Sequence, residues 1–150
     1  IPYTLHTDWA ESQPFATGAA SDEVKGIHVF LHKDIFAAVY LTNLLMRAAD
    51  LMITKPSELS FYPVPKLFIQ RVGRHEAWGA IRGAEIGDGT LETSSIGGVF
   101  QTIRLITQSD DLLHMYCTNI IRNKKIGIYD GAYNVMKIAM EEKARLGLRT

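Results

Sequence analysis

The stretch that decides the fold spans residues 50–90 and reads DLMITKPSELSFYPVPKLFIQRVGRHEAWGAIRGAEIGDGT. It contains two apolar runs, at 51–54 and 66–70, that we interpret as short buried strands. Three prolines between them leave room only for a short helix at 57–62. A longer helix is predicted over 76–86, because two glycines follow it directly. Strands that alternate with helices predict an α/β fold with a parallel sheet flanked by helices.

The pattern continues on both sides of this stretch. Upstream, residues 27–31 favour a strand, and residues 34–49 predict a helix for which Asp34 is a good N-cap. Downstream, an edge strand is predicted near Leu91. Three closing helices are predicted at about 96–107, 110–122 and 131–146.

The first 23 residues are mixed and rich in turn-forming types, so we interpret residues 1–23 as loop or linker. The predicted domain then spans residues 24–150. Residue 1 is Ile, and no signal-peptide pattern precedes the domain. We therefore expect this domain to be part of a longer protein.

Composition excludes several classes of protein. Lysine plus arginine equals aspartate plus glutamate, 16 of each, so the chain lacks the basic surplus of a nucleic-acid binder. The single cysteine, Cys117, rules out an internal disulfide framework and fits a cytoplasmic location. No apolar run approaches the roughly 18 residues that a membrane-spanning helix needs.

Polar side chains follow both central strands. The first group comes directly after residue 54 and comprises Lys55, Ser57 and Glu58. The second follows residue 70 and comprises Arg71, Arg74, His75 and Glu76. Neighbouring parallel strands would bring the two groups together at the carboxyl edge of the sheet, where such folds bind ligands. Cations and a helix N-terminus suit a phosphate, and a carboxylate suits sugar hydroxyls, so the cluster predicts a nucleotide-sugar site.

Two motifs in this stretch resemble the C-terminal, Rossmann-like lobe of GT-B glycosyltransferases. The segment 49–58, ADLMITKPSE, is similar to the opening of that lobe in peptidoglycan UDP-N-acetylglucosamine transferases and diacylglycerol glucosyltransferases. The segment 73–80, GRHEAWGA, resembles the family's second motif, and Glu85 and Gly87 fit the motif that follows. The resemblance covers roughly residues 34–140.

The resemblance implies roles for individual residues. Glu58, beside Ser57, would hold the ribose hydroxyls of a uridine nucleotide. His75 and Glu76 stand where the family reads the donor sugar. Lys55 or Arg74 would offset the charge of the diphosphate. No residue of this chain matches a catalytic base, so the catalytic residues stay unassigned, and no metal or cofactor is implied.

The chain departs from the family pattern in three places. The glycine-rich turn before Ser57 is missing, although in the family its backbone amides approach the diphosphate. Glu76 and Gly79 replace a glutamine and an asparagine. Upstream of residue 24, the lobe's first strand–helix–strand unit is expected to be absent or truncated.

The same side chains also have purely structural interpretations. Glu58 would cap its own short helix, and Glu76 would interact favourably with the dipole of the helix it begins. Lys55 is interpreted as a solvated lysine, Trp78 as a core anchor, and Cys117 as a small packed hydrophobe.

Two functions follow from these observations. In the first, the chain is the donor-binding lobe of a glycosyltransferase, with a UDP-sugar as its ligand. An N-terminal lobe, in cis or in trans, would supply the acceptor site and any peripheral contact with a membrane. In the second, the chain is a non-catalytic interaction or regulatory module that keeps the fold. Either way, apolar surface exposed where the rest of the lobe would pack favours self-association.

Overall fold

The computed structural model describes residues 1–147, which form two compact units, residues 1–50 and residues 51–147. The elements of the first unit are β1 (Thr4–His6), α1 (Trp9–Gly18), β2 (His28–Phe30) and α2 (Ile35–Leu45). Strands β1 and β2 pair in parallel, so this unit is a small α/β layer with its two helices after the two strands.

Both helices of the first unit begin at a capping aspartate. The Asp8 carboxylate accepts a hydrogen bond from the Ala10 N–H at 2.6 Å, and the Asp34 carboxylate accepts one from the Phe36 N–H at 3.0 Å. The core of this unit is small and joins the two helices. Its buried residues are Ala16, Leu41 and Leu44.

The second unit contains two strands, four helices and two short 3₁₀ turns. The strands are β3 (Met52–Thr54) and β4 (Lys66–Phe68), each followed by a 3₁₀ turn, at Glu58–Phe61 and Arg74–Glu76. The helices are α3 (Ala77–Ile86), α4 (Ile96–Gln108), α5 (Asp110–Lys125) and α6 (Gly131–Arg145).

Strand β4 lies at the centre of the second unit, and all three of its residues are buried. It pairs in parallel with β3 on one side. On the other side, the Lys66 N–H donates to the Asp88 carbonyl at 3.0 Å, and the Thr93 N–H donates to the Phe68 carbonyl at 2.9 Å. The Phe68 N–H, however, is bonded to the Thr90 hydroxyl at 3.0 Å. A side chain thus replaces a backbone partner, so the edge strand predicted near Leu91 is reduced to isolated bridges.

A buried polar network joins β4 to the α5–α6 loop. Lys66 and Asp88 form an ion pair, and the Tyr129 hydroxyl donates to the same carboxylate at 2.7 Å. Burial lowers the pKa of Lys66, although the hydrogen bond to Asp88 opposes that shift. Helix α5 also supplies a hydrogen-bond donor to the C-terminus of α3, because the Asn123 side chain donates to the Ile86 carbonyl at 2.8 Å.

The α/β class predicted from the sequence is confirmed, and so are α2, β3, β4 and the helices α3 to α6. The strands within residues 1–147 form two two-stranded sheets rather than one continuous sheet. No helix within these residues has both the length and the apolar character needed to cross a bilayer.

The interpretation of residues 1–23 as loop or linker was wrong, because β1 and α1 lie there. The Asp8 cap and the buried Ala16 stabilise α1 even though Pro14 stands inside it. A strand–helix–strand segment therefore does precede α2, and the division between the units falls after Asp50 rather than after residue 23. Cys117 is exposed on α5, so its interpretation as a packed hydrophobe was also wrong.

Candidate ligand-binding groove

The loops after β3 and β4 meet at one groove of about 600 Å³ in the second unit. The segments that follow both strands of this parallel pair line the groove, which is the edge where α/β folds place their ligands, and the groove continues along α3 as far as Glu85. Its walls come from the two 3₁₀ turns and one face of α3. The lining residues are Pro56, Ser57, Glu58, Ser60, Phe61, His75, Glu76, Trp78, Gly79, Ile81, Arg82 and Glu85.

Glu76 organises the polar side of the groove. Its buried carboxylate forms an ion pair with Lys55, which follows β3, and accepts hydrogen bonds from the Val72 and Gly73 N–H groups at 2.8 and 2.9 Å. The hydrogen bond from Lys55, followed by those from the two backbone amides, lowers the pKa of Glu76 to about 2. Glu76 is therefore ionised at neutral pH and ties the two loops together.

The three predicted cations, Lys55, Arg71 and Arg74, lie in different surroundings. The Lys55 side chain is 42% exposed, as expected of a solvated lysine, but it is also ion-paired with Glu76, which that interpretation did not include. Arg71 forms an ion pair with Glu92 at 2.9 Å, beyond the groove. Arg74 is exposed and is not one of the lining residues. Lys55 thus shapes the site through Glu76, and neither Arg71 nor Arg74 borders the groove.

Four of the predicted residues, Ser57, Glu58, His75 and Glu76, do share the groove. Ser57 stands at the N-cap of the first 3₁₀ turn, but its side chain makes no capping bond. Glu58 is the first residue of that turn, and its side chain is exposed. Since no capping bond ties the Glu58 carboxylate to its own turn, it can accept hydrogen bonds from a ligand.

One cation of the groove, Arg82 on α3, belongs to no motif of the sequence. Its guanidinium carbon lies 5.0 Å from the centre of the Phe61 ring, a cation–π distance, and Nη2 donates to the Ile128 carbonyl at 3.3 Å. Its Nη1 is buried without a hydrogen-bond partner within the described residues. Helical spacing was the available signal, since positions 78, 82 and 85 fall on one face of α3.

Comparison with known proteins identifies a family without revealing an activity. Residues 2–140 match a family model described as "Domain of unknown function (DUF6938)". The chain belongs to the DUF6938 family. Neither the curated proteins nor the solved structures contain a match. Because the family's description names no function, the resemblance to glycosyltransferase lobes stays a prediction.

Two neighbouring residues, Trp78 and Gly79, define the shape of the groove in this DUF6938 chain. Trp78 is 73% exposed, so its interpretation as a core anchor was wrong, and its ring borders the groove instead. A Cβ atom at Gly79 would lie 2.9 Å from both the Pro56 carbonyl oxygen and the Ser60 hydroxyl. The absence of asparagine at this position therefore has a physical reason: α3 approaches the first 3₁₀ turn too closely for a side chain.

The charged and titratable side chains that line the groove are carboxylates, an imidazole and a guanidinium. Among residues 1–147 of this DUF6938 chain, no group of three or more His, Cys, Asp or Glu side chains is placed to hold a metal ion. The arrangement suits a ligand that carries hydroxyl groups, which carboxylates bind, together with an anionic group, which a guanidinium binds.

Proposed function

We propose that residues 51–147 bind a nucleotide sugar, with a uridine diphosphate group, as the donor-binding lobe of a glycosyltransferase. One observation carries the proposal: Glu58 and His75, from the segments that follow two parallel strands, line a single groove with Arg82 of α3. The two motifs that resemble GT-B glycosyltransferases contribute residues to this same groove.

Each group has a task that fits its chemistry. The Glu58 carboxylate accepts hydrogen bonds from two ribose hydroxyls, as the resemblance implies. His75 contacts the hydroxyls of the donor sugar. Arg82 contributes a positive charge at the wall of the groove that favours the diphosphate, and the first turn of α3 adds the positive end of a helix dipole. Arg82 thus takes the part that the sequence assigned to Lys55 or Arg74, since neither borders the groove.

Glu76 acts on the ligand indirectly. Both of its carboxylate oxygens already have partners, on Lys55 and on the backbone of the loop after β4. We assign it the task of holding His75 in place, because His75 is its direct neighbour in the 3₁₀ turn. The exposed ring of Trp78 offers a flat apolar face to the nucleobase or to the sugar.

The transfer itself would be a displacement at the anomeric carbon of the sugar, with the nucleoside diphosphate as the leaving group. Arg82 and the N-terminus of α3 stabilise the negative charge that develops on that leaving group. A separate lobe, in cis or in trans, supplies the acceptor and the base.

Calorimetric titration of the full chain with UDP, and then with UDP-sugars, tests the proposal. We expect saturable binding that Glu58→Ala weakens by about 1–3 kcal/mol, the cost of losing hydrogen bonds to a charged group. Glu11→Ala is the matched control, because Glu11 is an exposed glutamate of the first unit that does not border the groove. The proposal fails if UDP does not bind, or if both variants weaken binding equally.

A second candidate function, an interaction module, is favoured by a different observation. Helix α6 has no buried residue. It exposes large apolar side chains, Tyr133, Val135, Met136, Ile138 and Met140. Such a face suits a partner surface. This candidate takes precedence if UDP does not bind while Val135→Lys and Ile138→Lys change the sedimentation of the chain.

A further inference from the structure

The first unit has a groove of its own, of about 650 Å³, which the proposed function does not use. It lies at the carboxyl ends of β1 and β2, between the N-terminal turns of α1 and α2. Segment 7–9 borders it on one side and segment 31–34 on the other. The placement is the one that α/β layers use for ligands.

The walls of this groove are aromatic. The rings of Trp9 and Tyr40 lie 5.6 Å apart and are inclined at 66°, and Trp9 also meets the His32 ring edge-on at 6.4 Å. Trp9 is 41% exposed and Tyr40 is 52% exposed. Phe36 adds a third exposed ring to the lining. The rings thus offer apolar faces to a ring-shaped ligand.

Hydrogen bonds fix the polar edge of the groove. The buried Ser12 hydroxyl donates to the Asp8 carbonyl at 2.7 Å, so its oxygen accepts from His32 Nε2 at 3.0 Å. In the neutral ring of His32 this bond places the proton on Nε2 and leaves Nδ1 as an acceptor. Asp8 and Asp34 each use one carboxylate oxygen to cap a helix and keep the other.

The groove is thus rich in acceptors that are held in place beside aromatic faces. The lining includes two carboxylates, Asp8 and Asp34, but a single cation, Lys33. This excess of negative charge disfavours an anionic ligand. A ligand that fits must present several O–H donors around an apolar face. A pyranose ring has both features, whereas a nucleobase offers few donors.

We propose that the groove of the first unit binds a neutral carbohydrate. The sugar ring packs on Trp9 and Tyr40, and its hydroxyls donate to Asp8, Asp34 and His32 Nδ1. This proposal does not depend on the groove proposed for the nucleotide sugar, and the two can be tested separately.

The two tryptophans allow a clean test, because each groove has one. In the full chain carrying Trp78→Phe, the emission of Trp9 is followed while glucose, galactose, mannose, N-acetylglucosamine, maltose and cellobiose are added. We expect a saturable change with at least one sugar. Asp34→Asn should raise its Kd about tenfold, as the loss of an acceptor predicts, while the helix keeps its cap because asparagine caps as well as aspartate.

Asp22→Asn, an exposed position outside the groove, is the matched control and should leave the Kd unchanged. The same titration with uridine and adenosine tests the ligand class. The proposal is overturned if no sugar changes the emission up to about 50 mM, well past the millimolar range of a weak site. It is also overturned if only a nucleoside does so, or if Asp22→Asn weakens binding as much as Asp34→Asn.

Discussion

The ammonium nitrogen of Lys66 lies 2.8 Å from Oδ2 of Asp88, and neither side chain is exposed to solvent. Lys66 stands in the central strand, and Asp88 follows the helix that forms one wall of the groove. A buried charge that loses its partner is strongly unfavourable, whereas removal of both charges together often costs little. This pair therefore joins the central strand to the loop that follows α3.

Replacement of Lys66 by methionine should destabilise the protein by about 3–5 kcal/mol, because Asp88 would stay buried without its cation. The double variant Lys66→Met/Asp88→Asn should recover a large part of that loss, since no buried charge remains. Urea unfolding at pH 7 measures both variants. If the double variant is as unstable as Lys66→Met or less stable, the pair does not behave as a coupled buried ion pair.

Removal of the Tyr129 hydroxyl should cost about 1.5–3 kcal/mol, the range for a hydrogen bond to a charged group. Burial, followed by the bond to Asp88, raises the pKa of Tyr129 above its ordinary value. A raised pKa contributes stability that is complete below the unfolded-state pKa of about 10 and is lost as the pH rises above it.

The free energy of unfolding, measured between pH 8 and 11, tests the direction of this pH dependence. This range brackets the ordinary tyrosine pKa of about 10. The native chain should lose stability more steeply on the alkaline side than Tyr129→Phe does. Tyr133→Phe is the control, because that tyrosine is exposed. Parallel curves for the native chain and Tyr129→Phe would contradict the assignment.

Glu76 should make the protein sensitive to acid. Its pKa is held at about 2, below the ordinary value, so it contributes stability that is present above about pH 4.5 and is lost as the pH falls towards 2. The variant Glu76→Gln should flatten this part of the stability curve. The measurement is the difference between the two unfolding curves across that range, and a constant difference would argue against an ionised Glu76 bound by Lys55.

Gly79 should not tolerate a side chain. In Gly79→Ala the new Cβ meets the Pro56 carbonyl oxygen, which belongs to the backbone and cannot rotate away. We expect a loss of about 1–3 kcal/mol, as for overpacked sites, together with a change in the shape of the groove. Gly97→Ala is the control, because a Cβ there meets nothing within 4 Å. Equal stability of the two variants would be inconsistent with the close approach.

Trp78 should be dispensable for folding. Because its side chain is 73% exposed, Trp78→Ala should change the free energy of unfolding by no more than about 0.5 kcal/mol, the usual limit for surface positions. A core tryptophan would cost about 3–5 kcal/mol. Thermal unfolding of this variant distinguishes the two cases, and a loss in the larger range would restore Trp78 to the core.

The sequence predicted those parts of the fold that depend on local patterns. Apolar runs bounded by prolines located β3 and β4, and helical spacing with a capping aspartate located α2. Helix α1 was not predicted, because its apolar residues follow no helical period and Pro14 argues against a helix. Its stability comes from the Asp8 cap and from packing on α2, which is a long-range contact.

The site was predictable to the extent that strand ends place loops. Parallel pairing of β3 and β4 brought the loops with Ser57, Glu58, His75 and Glu76 to one groove, as the sequence suggested. The ion pair between Lys55 and Glu76 was not predicted, because the ends of paired strands place loops near one another but do not determine which side chains pair. Arg82 was overlooked for a simpler reason: no motif includes it, and only its helical spacing from Trp78 marks it.

The most direct test of the nucleotide-sugar groove uses the indole N–H signals of the two tryptophans in a nitrogen-15 correlation spectrum of the full chain. Trp9→Phe assigns the two signals. We predict that UDP shifts the Trp78 signal in a saturable manner and leaves the Trp9 signal unchanged, and that Arg82→Gln weakens the effect. A Trp78 signal that stays in place at millimolar UDP, or a shift confined to Trp9, would contradict the account.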